Sequence, residues 1–182
     1  TPNKIEIIHA DLAIVQGDIR DQDAVIEAIY GVDAAICVIA PSPNSPDNLM
    51  ATAAENIVSG MKKHGVKRLI WATGAGVRAP QDDPTILQKI IEFMLKLLAR
   101  KVYENAFRGA EVIQSSDLDW TIARAPMLTE EESSEAYRAA YVGEALGKSL
   151  SRENYANFML DLVESDDWLQ EMPAASDAVN VG

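Results

Sequence analysis

A doubly wound α/β domain with a mainly parallel sheet is the fold class this 182-residue sequence predicts. Three observations carry the prediction. Short runs that are apolar at consecutive positions recur along the chain, as strands buried on both faces require. Segments with apolar residues three and four apart separate those runs, as connecting helices do. A proline-rich stretch, Ala40 to Pro46, follows one predicted strand, and ligands of open parallel sheets bind past strand ends of this kind.

The elements follow in order. Leu12 to Gln16 and Ala34 to Ala40 have strand length, as do Arg68 to Thr73 and Asp119 to Ala123. Asp21 can cap a helix whose inner face is Val25, Ile26 and Ile29, with Gly31 placed to end it. Ser45 and Pro46 signal the next helix start. Met50, Ala53, Ala54, Ile57, Val58 and Met61 then keep helical spacing until Gly65. After Pro84 two adjacent stripes, Ile86-Ile90-Phe93-Leu97 and Leu87-Ile91-Met94-Leu98, form an unusually wide apolar face. Such a helix is either deeply buried or packed partly against another chain. Ser151 can cap a last helix with Tyr155, Phe158, Met159, Leu162 and Val163 inside. Right-handed crossovers between the strands complete a single domain over residues 1–182.

Composition narrows the function classes. Sixteen basic against twenty-eight acidic residues give a net charge of −12, which repels nucleic-acid phosphates and anionic lipid. Neither nucleic acid nor membrane is an expected partner, and cytoplasmic location is the expectation. The single cysteine, Cys37, allows no intramolecular disulfide and reads as a buried, inert thiol. His9 and His64 lack partners at metal-ligand spacing, the acidic run from Glu130 reads as a solvated face, and Asp82-Asp83 reads as a loop feature, so no metal is expected.

Several segments, in order, resemble one family. They are Val15-Gln16-Gly17-Asp18-Ile19, Gly31 to Ile36, Gly65 to Ile70, Leu118 to Arg124, Ser151-Arg152 and the closing Ala178 to Gly182. Together they resemble atypical short-chain dehydrogenase/reductases of the NmrA-like and biliverdin/flavin-reductase-like kind. The resemblance covers nearly the whole chain and implies a Rossmann-like domain binding NAD or NADP. The family opens with a strand, a Gly-x-x-Gly-x-x-Gly turn, a helix and a second strand. Here Thr1 to Lys4 resembles the segment just after that unit, so the sequence reads as N-terminally truncated relative to the family by roughly 30 residues. That unit holds the pyrophosphate and reads the adenosine ribose, so the cofactor expectation is conditional on a complete phosphate site. Thr73-Gly74-Ala75-Gly76 follows a strand but lacks a third glycine and a following helix.

The resemblance assigns candidate residues. Asp18 and Ile19 would sit at the adenine, although Asp18 also suits a simple turn after Gly17. Ala40, Pro41 and Ser42 would line the cofactor ribose and phosphates, with an ordinary strand-to-loop turn as the alternative. Thr73 and Gly74 would lie beside the nicotinamide; Thr73 offers the nearby hydroxyl and is the one catalytic candidate. Pro126 and Met127 would pack near the nicotinamide, while Arg124 would be a family residue or a structural arginine paired to a carboxylate. Tyr137 and Tyr141 would flank a small-molecule substrate pocket, or simply pack. The signature Tyr-x-x-x-Lys pair is absent, because Tyr103 is followed four positions later by Phe107. The resemblance implies an NAD(P)H-dependent oxidoreductase acting on small aromatic or conjugated acceptors such as flavin or quinone. A non-catalytic nucleotide-sensing or protein-interaction module is the rival. A homo-oligomer is expected, covering the apolar flank of a strand beginning near Leu12.

Overall fold

The computed structural model describes residues 5, 7–131, 136–144 and 146–178. Along the chain run α1 (Gln22–Ala28), β1 (Ala34–Cys37), α2 (Leu49–His64), β2 (Arg68–Gly74), α3 (Ile86–Leu98), α4 (Arg100–Gln114), β3 (Asp119–Ala125), β4 (Met127–Thr129), β5 (Tyr137–Ala140), β6 (Ser149–Ser151), α5 (Arg152–Glu164) and β7 (Ala174–Asp177). The main sheet has the order β1-β2-β3-β7-β5, and β4 with β6 makes a separate two-stranded sheet. Its centre is parallel: Arg68 to Gly74 pair with Asp119 to Ala125 in one unbroken register. β1 continues the parallel pairing at one edge. At the other edge β5 runs antiparallel to β7, so the sheet is mixed rather than purely parallel.

Both faces of the central strands are covered, and the pleat sorts their side chains. Leu69 and Trp71 of β2 and Ile122 of β3 face α1, α2 and α4 in one core, with Met50, Met61 and Ile113. Ile70, Ala72 and Ala123 alternate onto the opposite face, against Tyr155, Phe158 and Leu162 of α5. Complete burial of an aliphatic side chain contributes about 1.5–3 kcal/mol, so the apolar strand runs hold the sheet together.

The helix signals in the sequence have their physical counterparts. The Asp21 side chain accepts hydrogen bonds from the Asp23 and Ala24 amides at the start of α1. Gly65 ends α2 at φ 73°, in the left-handed region where a glycine avoids the Cβ clash. The Ser151 side chain accepts from the Asn154 amide at the start of α5.

Three expectations are corrected, and one of two alternatives for α3 is removed. Leu12 to Gln16 form no strand, and Leu12, Ile14 and Val15 lie exposed; an apolar run becomes a strand only where a neighbour completes its ladder. The first sheet strand is shorter than the apolar run, ending at Cys37 because Val38 to Ala40 leave the sheet for the cleft described below. α2 begins at Leu49, not at Ser45, since the Ser45 and Pro46 segment makes a turn first. The wide-faced α3 is not thickly buried: Ile86, Leu87, Phe93, Leu97 and Leu98 are exposed. The closing segment is described only to Ala178, and residues 179–182 lie outside the described residues.

One buried ion pair ties the loop after β2 to the sheet. The Arg124 guanidinium donates to both carboxylate oxygens of Asp82 at 2.6 and 2.7 Å, with the two side chains 0% and 2% exposed. It also donates to the Val77 and Met172 carbonyls, while Asp82 accepts from the Ala79 and Val142 amides. Arg124 is therefore the structural arginine of the two readings, and Asp82 is more than a solvated loop residue. Removing one partner leaves a buried charge unmatched. Asp82→Ala is expected to destabilise the fold by about 3–5 kcal/mol in urea unfolding. Asp117→Ala, which breaks the exposed pair with Lys62, should leave the urea midpoint nearly unchanged.

Candidate functional site

The carboxyl ends of β1, β2 and β3 open onto one cleft of about 600 Å³. Val38 to Pro41 leave β1 along one side of it, and Thr73 and Gly74 end β2 at its floor. Gly76 and Val77 close over it from the loop pinned by the Arg124–Asp82 pair. Ala125, Pro126 and Leu128 form the wall past β3. Met50 of α2 and Tyr103 and Ala106 of α4 line one flank, with Tyr155 and Met159 of α5 on the other. The lining is mainly apolar. Its one charged member, Arg152, donates to Glu130 at 2.6 Å on the exposed rim.

Three local devices shape the cleft. Gly74 has no neighbouring atom within 4 Å of where a Cβ would stand, so the missing side chain leaves the floor open. Asn105, buried in α4, accepts from the Met50 amide at 2.9 Å and donates to the Pro46 carbonyl at 2.6 Å. That contact fixes the start of α2 against α4, since Asn48 at the N-cap makes no side-chain cap bond. Tyr155 donates to the Ala123 carbonyl at 2.9 Å, and burial pushes its hydroxyl well above the usual tyrosine range. Tyr155 is thereby a wall rather than a proton source.

Two other hydroxyls differ from it. Thr73 has no side-chain hydrogen bond among the described residues. Tyr103 has the Lys96 ammonium 4.9 Å from its ring centroid. Lys96 is held in turn by Glu92 at 2.6 Å, and Glu92 also pairs with Arg78. The hydrogen bond to Glu92 first, and Tyr103 less strongly, push the Lys96 pKa up and keep it cationic. The absent i+4 lysine hid this pairing, because Lys96 reaches Tyr103 from the preceding helix. No single-helix spacing rule would find it.

The residues singled out from sequence divide into two groups. Ala40, Pro41, Thr73, Gly74 and Pro126 meet around the cleft. The others do not line it. Ser42 is exposed, with its amide donating to the Ser45 hydroxyl. Met127 is exposed on β4. The Asp18 carbonyl closes a turn onto the Asp21 amide, and Arg20 grips its carboxylate and lowers its pKa to about 2. Ile19 packs partly on the core, its carbonyl accepting from Asn56. Tyr137 donates to Asp161 and Tyr141 to Glu171, and partial burial followed by these carboxylates pushes both hydroxyls up. Tyr103 and Met159 are cleft residues that pattern reading assigned only to helix packing.

A parallel sheet with helices on both faces and an apolar cleft at its strand ends defines a nucleotide-binding α/β domain. The model for an NAD(P)H-binding family matches residues 1–166, and the chain belongs to that family, whose architecture is Rossmann-like and similar to that of short-chain dehydrogenases. Solved structures agree in fold. The oxidoreductase ylbE from Lactococcus lactis superposes with a TM-score of 0.77 at 17% identity, over 98% of this chain and 77% of its own. A short-chain dehydrogenase/reductase from Veillonella parvula, in complex with NADP, gives 0.74 at 16% identity, over 97% and 76%. ChuY, an anaerobilin reductase from Escherichia coli, gives 0.68 at 18% identity, over 88% and 73%.

The residues present fit one end of a nicotinamide nucleotide. An apolar slot with an open glycine floor and a hydroxyl beside it accepts a flat ring and its ribose. A glycine-rich cradle for the diphosphate is not found among the described residues. None of the described helices is long and apolar enough to cross a membrane.

Cys37, at the end of β1, is buried, and burial pushes its thiol up to about 11. The neutral thiol thus favours the fold below pH 9, and that contribution is lost as pH rises from 9 towards 11. Labelling by a thiol reagent should be negligible at pH 8 in the folded protein. It should become rapid at the same pH in urea, and rise in the folded protein as pH approaches 11.

Proposed function

We propose that the chain is an NAD(P)H-dependent reductase of small conjugated acceptors, flavin or quinone in type, and that the cleft at the ends of β1 to β3 holds the nicotinamide and the acceptor. The observation that carries this reading is the open Gly74 floor with the Thr73 and Tyr103 hydroxyls at the edge of an otherwise apolar slot. ChuY, whose fold is similar, is by its description an anaerobilin reductase.

Nicotinamide bound there supplies a hydride, two electrons and a proton together. The chain's residues do the rest. Gly74 admits the ring close to the backbone, and Thr73 donates a hydrogen bond that orients it. Met50, Val77 and Met159 exclude water and stack an aromatic acceptor against the ring. Tyr103 gives the second proton to the reduced acceptor, and the Lys96 ammonium stabilises the tyrosinate left behind. Solvent then returns the proton to Tyr103.

A nucleotide-sensing module is the second reading. It is favoured by the absence of the Tyr-x-x-x-Lys pair, since Tyr103 is followed four positions later by Phe107.

Titration with NADPH and NADH, followed by nicotinamide fluorescence, should show saturable binding. Loss of absorbance at 340 nm on adding flavin or quinone should then report turnover. No binding of either nucleotide would refute both readings, and binding without oxidation by any acceptor would favour the sensor. Gly74→Val should leave the fold intact while weakening nucleotide binding at least about tenfold, or 1.4 kcal/mol. Tyr103→Phe should lower kcat about 10²-fold with little change in nucleotide affinity.

A further inference from the structure

Helix α3 is built inside out. Among its described side chains the buried one is acidic: Glu92 turns towards the protein, where it meets Arg78 and Lys96. The large apolar residues turn to solvent instead. Ile86 is 77% exposed, Phe93 65% and Leu98 75%, and the rest of both stripes lies between 44% and 65%. A helix that turns Glu92 inside and its apolar face outside has that face available to another body.

The pattern is compatible with a second copy of the chain as the partner. Nine of its thirteen residues are apolar, and eight of them, at 86, 87, 90, 91, 93, 94, 97 and 98, make up the two exposed stripes, with Leu95 outside both. Reversing the helix about Glu92 maps this set onto itself: Ile86 exchanges with Leu98, Leu87 with Leu97, Ile90 with Met94, and Ile91 with Phe93. Gln88 exchanges with Lys96, so a polar position also meets a polar one, while Lys89 and Leu95, beside the stripes, exchange with each other and fall outside the match. An isologous two-fold interface demands this property, because each residue must accept its mirror position on the other copy.

Area and charge agree. Eight side chains at these exposures present on the order of 800 Å² of surface, the share each partner gives to a standard interface. Exposed patches on monomers seldom exceed a few hundred Å². The chain's net charge of −12 opposes adsorption to an anionic membrane, whereas α3 carries only Lys89, Glu92 and Lys96 and pairs without strong repulsion.

We propose that α3 is a homodimer interface, with the α3 helices of two copies of this chain packed antiparallel across a two-fold axis centred at Glu92. The apolar residues of each copy interleave with those of the other, and the Glu92–Lys96 and Arg78–Glu92 pairs stay within each subunit.

Light scattering coupled to size exclusion, on the full chain at 10–100 μM, should return twice the monomer mass. Ile90→Glu with Leu97→Glu should return the monomer mass with unchanged circular dichroism, since both positions are exposed in the single subunit. Register is tested by oxidative cross-linking. Ile90→Cys with Met94→Cys should give a covalent dimer. Ile86→Cys alone should not, because antiparallel packing sets it about 18 Å from its copy, twelve residues along the axis. A monomer at 100 μM would overturn the proposal. So would a dimer unaffected by the glutamate pair, ready cross-linking by Ile86→Cys alone, or binding of the monomer to phosphatidylglycerol vesicles through α3.

Discussion

The cleft depends on the buried pair between Arg124 and Asp82. β2 and β3 end side by side, and the chain leaving β2 would be free to swing without an anchor. Arg124 projects from β3 and takes both oxygens of Asp82, the Val77 carbonyl on the cleft's upper edge, and the Met172 carbonyl before β7. Four segments thus converge on one guanidinium: the end of β3, the loop after β2, the entry to β7 and, through Asp82, the Val142 amide. Desolvating both charges is costly, and the pair is tolerable only because the remaining donors and acceptors are matched. Geometry at the slot, rather than bulk stability, is what this arrangement supplies.

Much of the architecture is legible in sequence because each signal is local. The all-apolar runs at Arg68 to Thr73 and Asp119 to Ala123 report strands buried on both faces, and Asp21, Gly65 and Ser151 mark helix ends through their own backbone and side-chain chemistry. Signals that depend on a neighbour are not legible in the same way. Leu12 to Gln16 have the composition of a strand, but a strand exists only where another completes its hydrogen bonds. The α3 stripes show that the helix has an apolar face, and periodicity cannot say whether that face meets a core or solvent.

The site follows the same division. Thr73, Gly74, Ala40, Pro41 and Pro126 come together because they sit at strand ends, and strand ends can be found from strand patterns. Tyr103 escaped because its cationic companion is Lys96 on the preceding helix, brought to it only by the packing of α3 on α4. Tyr137 and Tyr141 were placed beside a substrate pocket by the resemblance, and nearby carboxylates engage their hydroxyls away from the cleft.

The Asn105 contact bears on which ligands this mouth favours. A helix start is ordinarily a small positive pole with unmatched amides, ready to receive an anion. Here a neutral amide side chain already occupies the Met50 N–H, and the same group holds the Pro46 carbonyl. A phosphate approaching the first turn of α2 would have to evict an internal ligand before gaining that bond. The first turn of α2 therefore offers an anion at this mouth no free Met50 amide.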